Sequence, residues 1–160
     1  MKRTILASVA LGCAVIGMAA CSEEAPVEEA TSQGIPGLRV TDGRMVLNAV
    51  EGNPAAIYFN LAYDGDRGLA LRSAEVAGAE SAVIHEYWDS GKSLEMIEAQ
   101  PIPLSKGTEL AFEPGARHIM AMGVSPELSS GDTTEVTLTV SGGDSVTFTV
   151  SVQAAGESEG

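Results

Sequence analysis

Period-two alternation of apolar and polar residues is the feature that most constrains this chain. It is clearest from Val136 to Val140 and from Val146 to Val150, on either side of the turn sequence Ser-Gly-Gly-Asp. Such alternation gives each strand one buried and one exposed face, so the two runs predict a β-hairpin. From Leu38 onward, no apolar stripe with helical spacing persists for about 11 residues or more. The sequence therefore predicts an all-β domain.

Short β-like runs separated by turn residues continue through the rest of the domain. About eight or nine strands without an internal repeat favour an immunoglobulin-like β-sandwich over a propeller or a solenoid. The candidate strands are Arg44 to Val50, Ala55 to Tyr63, Leu69 to Val76, Ala82 to Trp88, Leu94 to Ile97, Thr108 to Phe112, Arg117 to Val124, Thr134 to Val140 and Ser145 to Val152.

The N-terminus has the pattern of an export signal. Lys2 and Arg3 precede an apolar stretch that ends at Ala20, and Met-Ala-Ala-Cys then resembles a bacterial lipoprotein box in which Cys21 becomes the lipid-modified first residue. The alternative is ordinary cleavage near Ala20 that leaves Cys21 unmodified. We predict a signal peptide over residues 1–20, an acidic flexible linker over 21–37, the β-sandwich over 38–153 and a short polar tail over 154–160.

Charge and cysteine content exclude several classes of function. Removal of residues 1–20 takes away two basic residues and no acidic one, which leaves 22 acidic against 7 basic residues, a formal charge of −15. That balance argues against nucleic acid and anionic lipid as partners. Cys21 is then the only cysteine, so a disulfide, a blue-copper site and a cysteine nucleophile each lack a required thiol in the domain.

The two histidines each lie in a candidate strand near a methionine. The first strand and its successor form a predicted hairpin, and a turn centred between Ser90 and Gly91 sets His85 directly opposite Met96. Cross-strand partners have Cβ atoms about 4.5 to 5.5 Å apart, close enough to share one ion. An odd-length loop would break this pairing.

The second histidine lies in the run His118-Ile-Met120-Ala-Met122, where alternation puts the His and both Met on one face. Two imidazoles and two thioethers from His85, Met96, His118 and Met120 therefore form a soft, uncharged donor set. Such a set suits Cu(I), since Mg²⁺ and Ca²⁺ prefer oxygen and structural Zn²⁺ usually takes thiolate or more imidazoles. The structural alternative is that these residues are hydrogen-bonded His and core Met.

At these residues the sequence resembles the PCuAC family of periplasmic copper chaperones. Its signature is a His, ten residues, a Met, twenty-one residues and then His-x-Met, and His85, Met96, His118 and Met120 have this spacing. The resemblance extends over roughly Arg44 to Val152, through segments such as VIHEYW and LAFEPGARHIMAMGV.

The resemblance implies a cupredoxin-like β-sandwich, a solvent-accessible Cu(I) site and delivery of copper for cytochrome c oxidase assembly. The implied partners are a Sco-type thiol protein or subunit II of the oxidase. Three features depart from the family: Glu86 follows the first His, Met45 stands where many members have Trp, and the tail lacks a His/Met-rich extension. The last of these favours a single copper site.

Several further residues near the candidate ligands have open roles. Met122 shares the ligand face and is either an auxiliary ligand or part of the core. Tyr87 and Trp88 either shield the ion or pack against the domain. Glu86 and Glu95 face each other in the predicted register, as a like-charge pair or a hard-metal site. No catalytic motif is present, so we expect a protein that is not an enzyme.

The leading interpretation is a Cu(I) carrier of the cell envelope, lipid-anchored, with Ser22 favouring the periplasmic face of the outer membrane. Two alternatives remain open. One is an envelope copper scavenger or buffer that does not donate to oxidase. The other is a lipid-anchored interaction module without metal.

Overall fold

The computed structural model describes residues 34–157, which form ten β-strands and no helix. The predicted all-β class is thereby confirmed, and no helix in this range is long and apolar enough to cross a membrane. The strands are β1 (Leu38–Val46), β2 (Ala55–Tyr63), β3 (Leu69–Val76), β4 (Ser81–Asp89), β5 (Leu94–Glu98), β6 (Ile102–Leu104), β7 (Thr108–Phe112), β8 (His118–Met122), β9 (Thr133–Val140) and β10 (Ser145–Gln153).

The strands form one continuous hydrogen-bonded sheet, which folds over so that its two halves pack face to face. The order is β5-β4-β8-β2-β1-β10-β9-β3-β6, with β7 paired to β2 beyond β8. Ile119 in β8 and Leu138 in β9 are both 0% exposed and belong to one core cluster. No helix in residues 34–157 covers these core residues. The two halves of the sheet pack against each other instead, which gives the predicted β-sandwich.

A β-bulge explains why the first strand begins earlier than the sequence predicted. The pairing of β1 with β2 shifts between Thr41 and Arg44, and Asp42 has a φ of 57°. Because Asp42 and Gly43 resemble a turn, the alternation on their N-terminal side was not recognised as part of the same strand. The extra residue lets β1 bend while it stays paired with β2 on both sides.

One strand was missed altogether. β6 is three residues long and has Pro103 at its centre, where proline is tolerated because this strand lies at the end of the path. The hairpin of β9 and β10 agrees with its prediction, with Val146 opposite Leu138 and Phe148 opposite Val136.

The ends of the predicted domains are only partly within the described residues. The predicted signal peptide and Cys21 lie outside them. Ile35, which was predicted to belong to the flexible linker, is 4% exposed and packs in the core, so ordered structure extends into that segment. In the predicted tail, Glu157 accepts hydrogen bonds from the Ala154 N–H and the Ser130 hydroxyl, each at 2.6 Å.

Candidate metal site

The outer face of β4 and β8 carries the candidate site. Alternation in these strands turns Ile84, Ile119 and Ala121 into the core. The residues between them therefore face away from the core, which is how the sequence pattern places His85 and Met120 on one surface.

The two histidines are direct cross-strand partners. His85 in β4 is paired with His118 in β8, and the ring centroids lie 5.9 Å apart at an interplanar angle of 78°. Sequence reasoning did not predict this pairing, because it treated the hairpin and β8 as separate sources of ligands. The register between β4 and β8 makes the histidine pair the centre of the site.

A backbone hydrogen bond fixes the tautomer of His118. Its Nδ1 lies 3.0 Å from the carbonyl oxygen of Ala116, and a carbonyl can only accept. Nδ1 therefore carries a proton, so the lone pair available to a metal ion in the neutral ring is on Nε2. A ligating His commonly donates its other N–H to a carbonyl in this way, which orients the ring and raises its basicity.

The surroundings of His85 favour its neutral form. Partial burial lowers its pKa, the neighbouring His118 lowers it further, and Glu98 opposes the shift. Among the described residues, the Nδ1 of His85 is one of two buried side-chain nitrogen or oxygen atoms without a hydrogen-bond partner. A neutral imidazole with an unpartnered buried nitrogen is suited to coordinate a cation that enters from outside.

The structure corrects the predicted register of the β4–β5 hairpin. His85 is opposite Glu98, and Met96 is opposite Tyr87. The turn is centred between Gly91 and Lys92, one residue later than predicted, and Ser90 N–H donates to the Ser93 carbonyl at 3.1 Å. The first position of a two-residue hairpin loop favours a positive φ, which Gly91 supplies at 75°.

A shift of two residues in pairing keeps every side chain on its predicted face. Met96 is therefore still on the face of His85, as a diagonal neighbour on β5, while Met120 is a diagonal neighbour on β8. Diagonal neighbours are about 7 to 8 Å apart, within reach of long side chains.

The two methionines lie on opposite sides of the histidine pair. Met96 is level with Tyr87 and Met120 is level with Val83, four residues apart along β4, or about 13 Å. Met120 is half-buried beside the histidines, whereas Met96 is 46% exposed on the edge strand. The structure thus groups His85, His118 and Met120, and leaves Met96 at the margin. Met122 is further along β8, opposite Ser81.

Two tyrosines enclose His118, and sequence reasoning considered only one of them, Tyr87, as a shield for the ion. The ring centroids of Tyr58 and Tyr87 lie 6.4 and 6.2 Å from that of His118, which is only 7% exposed. Burial raises the pKa of Tyr58, and the Arg44 guanidinium, 5.1 Å from the centre of its ring, opposes the shift. The alternation of β2 would have predicted that Tyr58 faces the same way as the ligands.

Trp88 does not have either of the roles expected for it. It is opposite Glu95, on the other face of β4 from His85, and it is 59% exposed. It therefore neither shields the histidines nor packs into the core. Tyr87, by contrast, lies over the site as the shielding role requires.

The predicted face-to-face pair of Glu86 and Glu95 is not formed: the two residues are diagonal neighbours, and Glu86 is paired with Arg117 instead. Glu86 is opposite Ile97 instead of Glu95, and its carboxylate lies 3.0 Å from the Arg117 guanidinium, with both side chains partly buried. Within residues 34–157, no group of three or more His, Cys, Asp or Glu side chains is arranged to hold a metal ion. The Glu86 carboxylate is thus engaged by Arg117 rather than by a hard cation shared with Glu95.

Comparisons with known proteins agree with this architecture. The apo PCuAC domain from PmoF1 is 22% identical, with a TM-score of 0.63 over 77% of this chain and 98% of that chain. The copper-bound PCuAC domain from PmoF2 is 20% identical, with a TM-score of 0.59 over 77% and 97% of the two chains. The solution structure of CuI-DR1885 from Deinococcus radiodurans is 25% identical, with a TM-score of 0.53 over 78% and 83%.

The sequence itself identifies the family. None of the curated proteins matches the chain significantly. The profile of the LpqE-like lipoproteins matches residues 38–152, which is nearly the whole of the described domain. The resemblance to PCuAC domains and their cupredoxin-like β fold, inferred from the ligand spacing, is confirmed. This chain belongs to the LpqE-like family and has the fold of the PCuAC domains.

Proposed function

We propose that this protein is a Cu(I) carrier of the cell envelope that binds one ion with His85, His118, Met120 and Met96. The observation that carries the proposal is the cross-strand histidine pair. One ring is oriented by the Ala116 carbonyl, and the other has a buried nitrogen without a partner. Relatives of this fold include a copper-bound PCuAC domain and a Cu(I)-bound protein.

The chemistry of the donors favours Cu(I). Imidazole and thioether are neutral and soft, and no carboxylate cluster competes for a hard cation among residues 34–157. A neutral donor set also favours release, because a thiolate acceptor binds Cu(I) more strongly than a thioether does. The site therefore suits a carrier better than permanent storage.

Met96 completes the site by moving toward the histidines. Every residue of β5 is exposed, and this strand ends the hydrogen-bonded path, so only β4 restrains it among the described strands. A bend of this arm, together with the long thioether side chain, brings the sulfur toward His85. Met96 is then the last ligand to bind and the first to leave.

Delivery to cytochrome c oxidase, through a Sco-type thiol protein or directly to subunit II, is the proposed destination. It is supported by the resemblance to PCuAC chaperones. The lipoprotein description of the matched family supports an anchor at Cys21 and a place in the cell envelope, which we assign to the periplasmic face of the outer membrane. We expect binding and transfer without catalysis.

Titration of the metal-free protein with Cu(I) under reducing conditions tests the binding claim. We expect one equivalent to bind, and His85→Ala or His118→Ala to abolish tight binding while the fold is retained by circular dichroism. Unchanged affinity in both variants would contradict the site. A gene deletion then separates delivery from scavenging: delivery predicts low oxidase activity that added copper restores, whereas copper sensitivity with normal oxidase activity would indicate a buffer.

A further inference from the structure

Nearly all the large apolar side chains that the described domain exposes lie on one hairpin. Val50 is the exception. The other five are in β4 and β5: Tyr87, Trp88, Leu94, Met96 and Ile97, between 36% and 62% exposed. We call these five residues the hairpin patch. Monomeric proteins rarely expose such a cluster unless it binds something.

The patch covers both faces of an arm that extends past the core. Tyr87 and Met96 are cross-strand partners on the ligand face, whereas Trp88 lies on the opposite face. The outer edge of β5 pairs with no other strand of residues 34–157. A partner could therefore contact the arm from its edge and reach both faces.

Acidic residues surround the patch. Asp89, Glu95 and Glu98 are exposed, and none of them takes part in an ion pair within the described domain. Lys92 is the only lysine or arginine of the β4–β5 hairpin. The whole chain carries a formal charge of −13. Such a rim repels a second copy of the chain and an anionic membrane, and it attracts a surface lined with Lys and Arg.

The patch also contains the one proposed ligand that is largely exposed. Met96 is 46% exposed, whereas His118 is 7% exposed beneath the two tyrosines. An incoming donor therefore reaches the ion first on the side of Met96. A protein seated on the hairpin patch would place its own donor atoms there.

We propose that the hairpin patch is the docking surface for the protein that receives the ion. The acceptor has an apolar recess bordered by basic residues, with a pair of thiolates beside it. This inference rests on the proposed function. In the first exchange, the bond between Cu(I) and the Met96 sulfur breaks as a bond to one acceptor thiolate forms. The second thiolate then displaces His85, His118 and Met120, so the ion leaves bound to both thiolates. Copper stays Cu(I) throughout, and no electron is exchanged.

The test compares two acceptors of Cu(I). The first is the reduced, soluble domain of a Sco-type thiol protein, and the second is the small chelator bicinchoninate. Trp88→Ser alters the patch on the face away from the histidines. We expect it to lower the second-order rate constant for transfer to the protein by about ten-fold or more, as loss of a central aromatic contact does. The rate of transfer to bicinchoninate and the Cu(I) affinity should not change.

Val50→Ser is the matched control, since it removes an equally exposed apolar side chain, 60% exposed, from a loop outside the patch. It should leave both rates at the wild-type value. Glu95→Lys should slow transfer to the protein, and added salt should reduce the difference from wild type, because exposed charges are screened beyond about 10 Å at 0.1 M.

Equal rate constants for transfer from wild type and from Trp88→Ser to the Sco-type domain would overturn the docking proposal. A wild-type rate constant for transfer to that domain no higher than the one for transfer to the chelator would also overturn it. A Trp88-dependent dimer in sedimentation, or Trp88-dependent binding to phosphatidylcholine vesicles, would assign the patch to another occupant and also overturn it. Failure of the wild type to bind Cu(I) would instead contradict the proposed function.

Discussion

Replacement of Met96 by Leu isolates the ligand that the structure leaves furthest from the histidine pair. Leucine is apolar and similar in size, so the change removes the thioether sulfur and little else. The side chain is 46% exposed on an edge strand and lies outside the core cluster. The free energy of unfolding of the metal-free protein should therefore change by no more than about 0.5 kcal/mol.

The expected loss of Cu(I) affinity is much larger than this change in stability. Removal of an outer-shell partner of a metal site already costs about 10- to 100-fold in affinity. Loss of a direct ligand should cost at least as much, or about 1.4 to 2.7 kcal/mol. The binding free energy and the folding free energy should thus respond differently to one substitution.

Competition with a Cu(I) chelator measures the affinity, and urea denaturation of the metal-free protein measures the stability. Met122→Leu is the matched control, because Met122 is on the same face but lies beyond Met120, opposite Ser81. A loss of affinity confined to Met96→Leu would support the four-ligand site. Wild-type affinity in Met96→Leu would refute closure of the β5 arm on the ion, and an equal loss in Met122→Leu would make that residue a ligand.

Three further predictions concern the surroundings of the ion. His118→Ala should lower the free energy of unfolding of the metal-free protein by about 1 to 3 kcal/mol, since it leaves the Ala116 carbonyl without its donor; wild-type stability in urea would contradict the hydrogen bond. Glu86→Gln should lower the free energy of unfolding by no more than about 1 kcal/mol, and by less at high salt, because the ion pair with Arg117 is partly exposed. A larger loss would mean that the pair behaves as a buried ion pair. The pKa of His85 is lowered in the folded state, so the unfolded chain binds this proton more tightly. The free energy of unfolding should therefore fall as the pH drops below about 6.5, and it should depend less on pH in His85→Asn.

The domain was largely predictable because its strands have strong alternation. Ala55–Tyr63 and Leu69–Val76 have their predicted bounds, since each is limited by residues that favour turns. Because of Pro103, the three-residue strand around it was not predicted. The bulge at Asp42 interrupts the alternation of β1, so only its second half was predicted. Both depend on how the strand pairs with its neighbour, which local patterns do not specify.

Local sequence patterns were likewise insufficient to predict which residues pair in the candidate site. Spacing and alternation were sufficient to choose the four candidate ligands and to place Met96 on the face of His85. The hairpin register was wrong because the turn was centred one residue too early, on the N-terminal side of Gly91. Only the pairing of β4 with β8 places the histidines opposite each other, and Tyr58 approaches His118 from a strand that begins 63 residues earlier in the chain.

X-ray absorption at the copper edge of the reduced, copper-loaded protein reports on the proposed ligands themselves. We expect Cu(I) with a mixed shell of sulfur and imidazole nitrogen, and loss of sulfur scattering in Met96→Leu and in a Met120→Leu variant. A shell of nitrogen and oxygen alone, or one that both substitutions leave unchanged, would contradict the proposed site.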